Sequence, residues 1–133
     1  MTPQDGLVYT MVLVSAVDRD MSDAQLERLR GLVDRLPVFK RYDQRKLAAA
    51  AAQCVKLLGG RNGLERTVAA IKKALPRRLA TTAYALACDL AAADGQVKIE
   101  EMQALDMLAD ALDVNRLEQE AIHFAAGARY RKA

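Results

Sequence analysis

The run Ala91-Ala92-Ala93-Asp94-Gly95-Gln96-Val97-Lys98-Ile99-Glu100-Glu101 reads as an acidic joint between two helices. It is echoed earlier in the chain by Ser15-Ala16-Val17-Asp18-Arg19-Asp20-Met21-Ser22-Asp23-Ala24-Gln25. Continuing the same offset of 76 residues pairs Leu29 with Leu105, Leu32 with Leu108, Asp34 with Asp110, Leu36 with Leu112 and Val38 with Val114. Helical packing alone accounts for recurring apolar positions. Recurrence of the turn aspartates Asp18 and Asp94 at the same distance from the following helix marks a helix-pair unit present twice.

The composition favours helices throughout. Aromatic residues make up 5% of the 133, alanine, leucine and straight-chain charged residues dominate, and no window alternates with period two. The fold class expected is therefore all-α, with about seven helices in two pseudo-symmetric halves. A chain of this length buries most of its apolar surface around one core without disulfides or metal staples.

Caps and breakers divide the chain. A first helix is expected from about Pro3 to Val17. Ser22 and Gln25 form a capping box for a second, with Leu26, Leu29, Val33 and Leu36 inward and Pro37 as its stop. Asp43 caps a third through Leu47, Ala51, Cys54, Val55 and Leu58, and Gly59 to Gly63 forms a hinge. Asn62 starts a fourth carrying Leu64, Val68, Ile71 and Leu75. A fifth, Arg77 to Ala93, is apolar over more than one stripe and is expected at the centre. The sixth, Ile99 to Leu112, turns Met102, Leu105, Leu108, Ala109 and Leu112 inward. Asn115 opens a seventh with Leu117, Ala121, Phe124 and Ala125 on its apolar face.

Cys54 and Cys88 lie in alanine-rich runs without a second ligand at metal spacing, so they read as small buried apolar groups, as does a structural His123. Reduced thiols fit a cytoplasmic protein. The apolar stretch from Gly6 to Val17 is too short for a bilayer, which takes about 20 apolar residues, and lacks the basic start of a signal peptide.

Charge is unevenly spread. Residues 40–78 hold eleven Lys and Arg against two acids, whereas residues 79–133 hold five against nine and residues 1–39 four against six. Lys72, Lys73, Arg77 and Arg78 are the candidate contacts for an anionic partner, an anionic membrane surface included, although cations at a helix C-terminus also complement its dipole. Nucleic acid is a remote alternative confined to segment 40–78. A helix-turn-helix reading of the second joint fails because its recognition helix carries Glu100, Glu101, Asp106 and Asp110, which phosphates repel.

Asp94-Gly95-x-Val97 followed by Glu101 matches the second half of a calcium-binding EF-hand loop, but the first half offers only Leu90 and Ala92 where carboxylates belong. A cation site therefore requires the two joints to converge and pool their acids. Asp18, Asp20, Asp94, Glu100 and Glu101 are the candidate ligands, for calcium or zinc. The competing reading places these acids at helix N-termini to satisfy backbone N–H groups. Catalysis lacks a nucleophile elbow, a phosphate cradle or paired metal ligands, so a non-enzyme is expected.

At these residues the chain resembles a known family. Leu90-Ala91-Ala92-Ala93-Asp94-Gly95-Gln96-Val97, with Glu100-Glu101 and Leu105, is similar to the signature of the TerB-like tellurite-resistance domain, also found at the N-terminus of membrane-anchored DnaJ-type co-chaperones. The resemblance implies a single helical domain over 1–133 in a cytoplasmic bacterial protein. It also implies an acidic patch for divalent cations and protein partners in membrane-linked stress-response complexes. The alternative is a metal-independent protein–protein interaction domain. Lys98-Ile99 stand where the family commonly has Ser/Thr-Pro, Gln96 stands where an acid often follows the glycine, Arg19 replaces the turn glycine, and Ala24 and Gln25 replace two glutamates. The first joint is thus poorer in acid, and Lys98 repels a cation.

Overall fold

The computed structural model describes residues 1–17, 21–93, 95 and 97–133. Among them are seven α-helices and no strand: α1 (Pro3–Ala16), α2 (Asp23–Arg35), α3 (Leu47–Leu58), α4 (Gly63–Ala74), α5 (Ala80–Ala92), α6 (Ile99–Ala111) and α7 (Arg116–Arg129). Short 3₁₀ turns at Pro37–Phe39, Gln44–Lys46 and Arg77–Leu79 precede or link them.

Helices α1 and α5 form the centre. Both are apolar nearly all round, as buried helices are, and they pack against each other. Leu7, Val8, Met11, Val12, Leu13 and Val14 of α1 and Ala83, Tyr84, Ala87 and Leu90 of α5 have no accessible surface. The remaining helices pack around this pair. α3 and α4 cover α1, α7 covers α5, α2 packs on α5 and α6 lies against both central helices. The pairs α1–α2 and α5–α6 are the repeated unit, and each central helix touches the outer helix of the other unit. No described helix is long and apolar enough to cross a membrane.

Local chemistry sets most boundaries. Reciprocal capping boxes open α1 at Thr2 with Asp5, α2 at Ser22 with Gln25, and α7 at Asn115 with Glu118. Three starts differ from expectation, among them α5, which begins at Ala80 because Arg77–Leu79 forms a 3₁₀ turn ahead of it. Asp43 caps the 3₁₀ turn ahead of α3, accepting from the Arg45 N–H. Asn62 starts α4 through a left-handed backbone, φ 53°, with no side-chain cap, and Gly63 follows because a Cβ there would strike the Leu58 carbonyl.

The inward faces of four helices are corrected. In α2, Leu29, Leu32 and Val33 are buried as the apolar pattern requires, but Gln25 is buried and Leu26 is exposed. In α3, Ala50 and Cys54 go inward while Val55 is 50% exposed, because α3 meets α1 through its small-residue face. In α6, Leu105, Leu108 and Ala109 are buried and Met102 is exposed. The largest departure is α7, where Leu117, Ala121, Phe124 and Ala125 all face solvent and Ala126 is the buried residue.

Polar latches explain the orientation of α7. The Tyr84 hydroxyl on α5 lies 2.7 Å from His123 Nε2, Arg129 donates to Asp89 on α5 at 2.6 Å, and the Arg28 guanidinium of α2 sits 5.2 Å above the Tyr130 ring. Docking the face that carries His123 and Arg129 gives the Tyr84 hydroxyl and the Asp89 carboxylate hydrogen-bond partners on α7, so the helix turns that face inward. His123 is itself exposed, in contact with Tyr84 through its ring edge.

Candidate functional site

Ser22 and Lys98 precede the first turns of α2 and α6 at equivalent places in the repeat. In α2 the Ser22 hydroxyl accepts from the Gln25 N–H and Gln25 Oε1 accepts from the Ser22 N–H, both at 3.1 Å. Lys98 has no side-chain acceptor, so the second cap runs one way: Glu101 Oε1 accepts from the Lys98 N–H at 3.0 Å. The remaining amide of Gln25 and the remaining oxygen of Glu101 then meet each other. Gln25 Nε2 donates to Glu101 Oε2 at 2.9 Å and to the Leu90 carbonyl at 3.2 Å.

This contact ties the two joints together. Both side chains are 2% exposed, so the hydrogen bonds form away from competing water, where they are strongest and where losing one is costly. The sequence marked Gln25 as a weakening replacement for a glutamate. The structure gives it a different part, because a carboxylate at position 25 would face the Glu101 carboxyl, whereas an amide supplies the donor that Glu101 accepts. The signal was present in the spacing, since Gln25 and Glu101 are the same position of the repeat.

The candidate cation ligands divide accordingly. Glu101 belongs to the buried connection between the joints, and Glu100 is exposed beside it on the first turn of α6. Asp18, Asp20 and Asp94 lie outside the described residues. Among the described residues no group of three or more His, Cys, Asp or Glu is placed to hold a metal. Nearby, Ser15 Oγ is buried at the end of α1 without a hydrogen-bond partner.

Helices α2 and α6, opened by equivalent residues and joined at Gln25 and Glu101, carry the residues of the acidic signature, and a family model matches most of the chain. The model of "Tellurite resistance protein TerB" matches residues 4–123. The chain belongs to the TerB family. No curated protein and no solved structure matches it significantly. The TerB match begins in α1 and ends within α7, so both joints and the intervening α3–α4 pair lie inside it.

The cysteines are placed as the sequence suggested. Cys54 and Cys88 are buried and unpaired, and burial pushes each thiol up to about 12. Cys54 donates to the Tyr9 carbonyl at 3.6 Å. Thiols held neutral in this way are poor nucleophiles and poor metal ligands. The basic candidates Lys72, Lys73, Arg77 and Arg78 are all exposed, and none forms an ion pair among the described residues. Lys72 and Arg77 line a cleft of about 170 Å³ together with Leu112 and Asp113.

Proposed function

We propose that this TerB-family chain is a non-catalytic cytoplasmic binding module of the tellurite-resistance and stress-response type, and that its paired joints take a divalent cation. The observation that carries the reading is the Gln25–Glu101 hydrogen bond, which holds the starts of α2 and α6 side by side. Asp18, Asp20 and Asp94 stand a few residues upstream of those starts in sequence, and Glu100 is exposed at the start of α6. Convergence of the two joints is what the acids need if they are to act as one site.

The donor chemistry selects the cation. Carboxylate oxygens suit a hard ion such as calcium, whereas zinc favours the nitrogen and sulfur ligands that are not gathered here: the cysteines are buried in α3 and α5, and His123 is on α7. When bound, the cation would neutralise acids that otherwise repel one another. Gln25 and Glu101 would serve as the fixed frame, leaving Asp18, Asp20, Asp94 and Glu100 as ligands.

Calcium titration followed by amide NMR tests this. Shifts confined to residues around 15–25 and 91–101, lost in Asp94→Asn, are expected. An absence of shifts at millimolar calcium would remove the cation and leave a metal-independent protein-interaction module on the same fold.

A further inference from the structure

We propose that α7 is a self-association helix, pairing antiparallel with α7 of a second copy of this chain through Leu117, Ala121, Phe124, Ala125 and Ala128. These residues recur at the i, i+4, i+7, i+8 and i+11 spacing of one helical face, and all are exposed, Leu117 at 80% and Phe124 at 66%. The apolar side of an amphipathic helix normally marks the side that is buried. Here the opposite side is docked, held by Tyr84–His123, Arg129–Asp89 and Arg28–Tyr130, so the apolar side is left for a partner.

The charge pattern of the helix commits the partner to a second copy in antiparallel orientation. Asp113 in the preceding turn, Glu118 and Glu120 outweigh Arg116, which pairs with Glu120, at its leading end, and Arg129, Arg131 and Lys132 make its trailing end basic. Antiparallel pairing sets each acidic end beside the other copy's basic end and opposes the helix dipoles, whereas parallel pairing stacks like charges. A register centred between Ala121 and Phe124 alternates large with small. Leu117 then meets the partner's Ala128, Phe124 meets the partner's Ala121, and Asp113 stands opposite the partner's Lys132. Helix α7 has 14 residues, a length of about 21 Å at 1.5 Å per residue. One such pairing falls short of the ~1,600 Å² of a standard interface, so the dimer is a weak, reversible one.

Sedimentation velocity on the 133-residue chain between about 1 and 500 μM, the range that brackets a weak interface, reads the result. A concentration-dependent shift toward twice the 14.6 kDa chain mass is expected. Phe124→Asp should weaken association by at least about tenfold. It should leave the circular dichroism and melting temperature unchanged, because the side chain is largely exposed. Asp113→Lys and Lys132→Asp should each weaken self-association at low salt, and the chain carrying both exchanges should recover it, a pattern that antiparallel pairing gives and parallel pairing, in which 113 faces 113 and 132 faces 132 with like charge throughout, does not. A chain that stays monomeric throughout the range would overturn the proposal. A dimer indifferent to Phe124→Asp, or one that neither charge exchange weakens, would overturn it equally by locating the contact elsewhere or in the opposite orientation.

Discussion

Gln25 shows how one side chain can serve two levels of structure. Its backbone and Oε1 close the cap of α2, while its Nε2 reaches the Leu90 carbonyl and Glu101 Oε2. Replacing it with leucine keeps the volume but removes the two buried hydrogen bonds from Nε2 to the Leu90 carbonyl and Glu101 Oε2. We expect Gln25→Leu to lower stability by about 2–3 kcal/mol in urea unfolding, against about 1 kcal/mol for Ser22→Ala, which removes only a cap. Equal losses would mean that the connection between the joints adds nothing beyond the cap. The thiols make a second prediction at this scale. Their folded values near 12 lie above the ordinary 9.0, so the neutral form is favoured by folding, and the stability they contribute is complete below pH 9 and is lost as pH rises toward 12. Below that window iodoacetamide should label Cys54 and Cys88 only as fast as the chain unfolds.

Among the elements, α5 and α3 separate buried from surface positions cleanly. Leu90 has no accessible surface and Leu86 is nearly as buried, so Leu90→Ala or Leu86→Ala should cost about 2–5 kcal/mol through lost transfer energy and the cavity left behind. Val55, half exposed on α3, should tolerate alanine within about 0.5 kcal/mol. The turn between α3 and α4 is constrained by its backbone. Gly63→Ala forces a methyl group into the Leu58 carbonyl and should cost about 1–3 kcal/mol. A melting temperature unchanged by that substitution would show that the turn can open without loss.

At the scale of the whole molecule, charge is segregated along the chain. The exposed Lys72, Lys73, Arg77 and Arg78 sit in the basic stretch 40–78, and the joints lie outside it. A protein with this pattern should bind phosphatidylserine vesicles, or an acidic protein, in a salt-dependent way. Each basic residue near an anionic membrane is worth about 1 kcal/mol, and the Debye length falls from about 10 Å at 0.1 M to about 3 Å at 1 M salt. Reversal of all four to glutamate should abolish vesicle co-sedimentation with the fold intact. Lack of sedimentation by the unaltered chain at low salt would leave only the acidic-protein version.

What the sequence determined by itself is whatever depends on neighbours along the chain. Helix periodicity, the capping box at Ser22, the Asn115 start, the glycine break at 59–63 and the 76-residue repeat are local or self-referential signals, and the helices follow them except at the starts of α3 and α5, where a 3₁₀ turn takes the first three residues. The central place of α5 was legible because a helix that is apolar on every side has no side to give to water. The tertiary structure alone decided where the outer helices depart from their apolar pattern. Ala50 is buried and Val55 is not, Gln25 displaces Leu26, and His123 with Arg129 displaces Leu117 with Phe124, because each choice depends on the shape and polar groups of a surface built from residues far away in sequence. The same holds for the candidate site. Its acids were visible as a repeat, but the hydrogen bond that sets the two joints side by side exists only once α1 and α5 have packed and carried Gln25 and Glu101 to the same buried point.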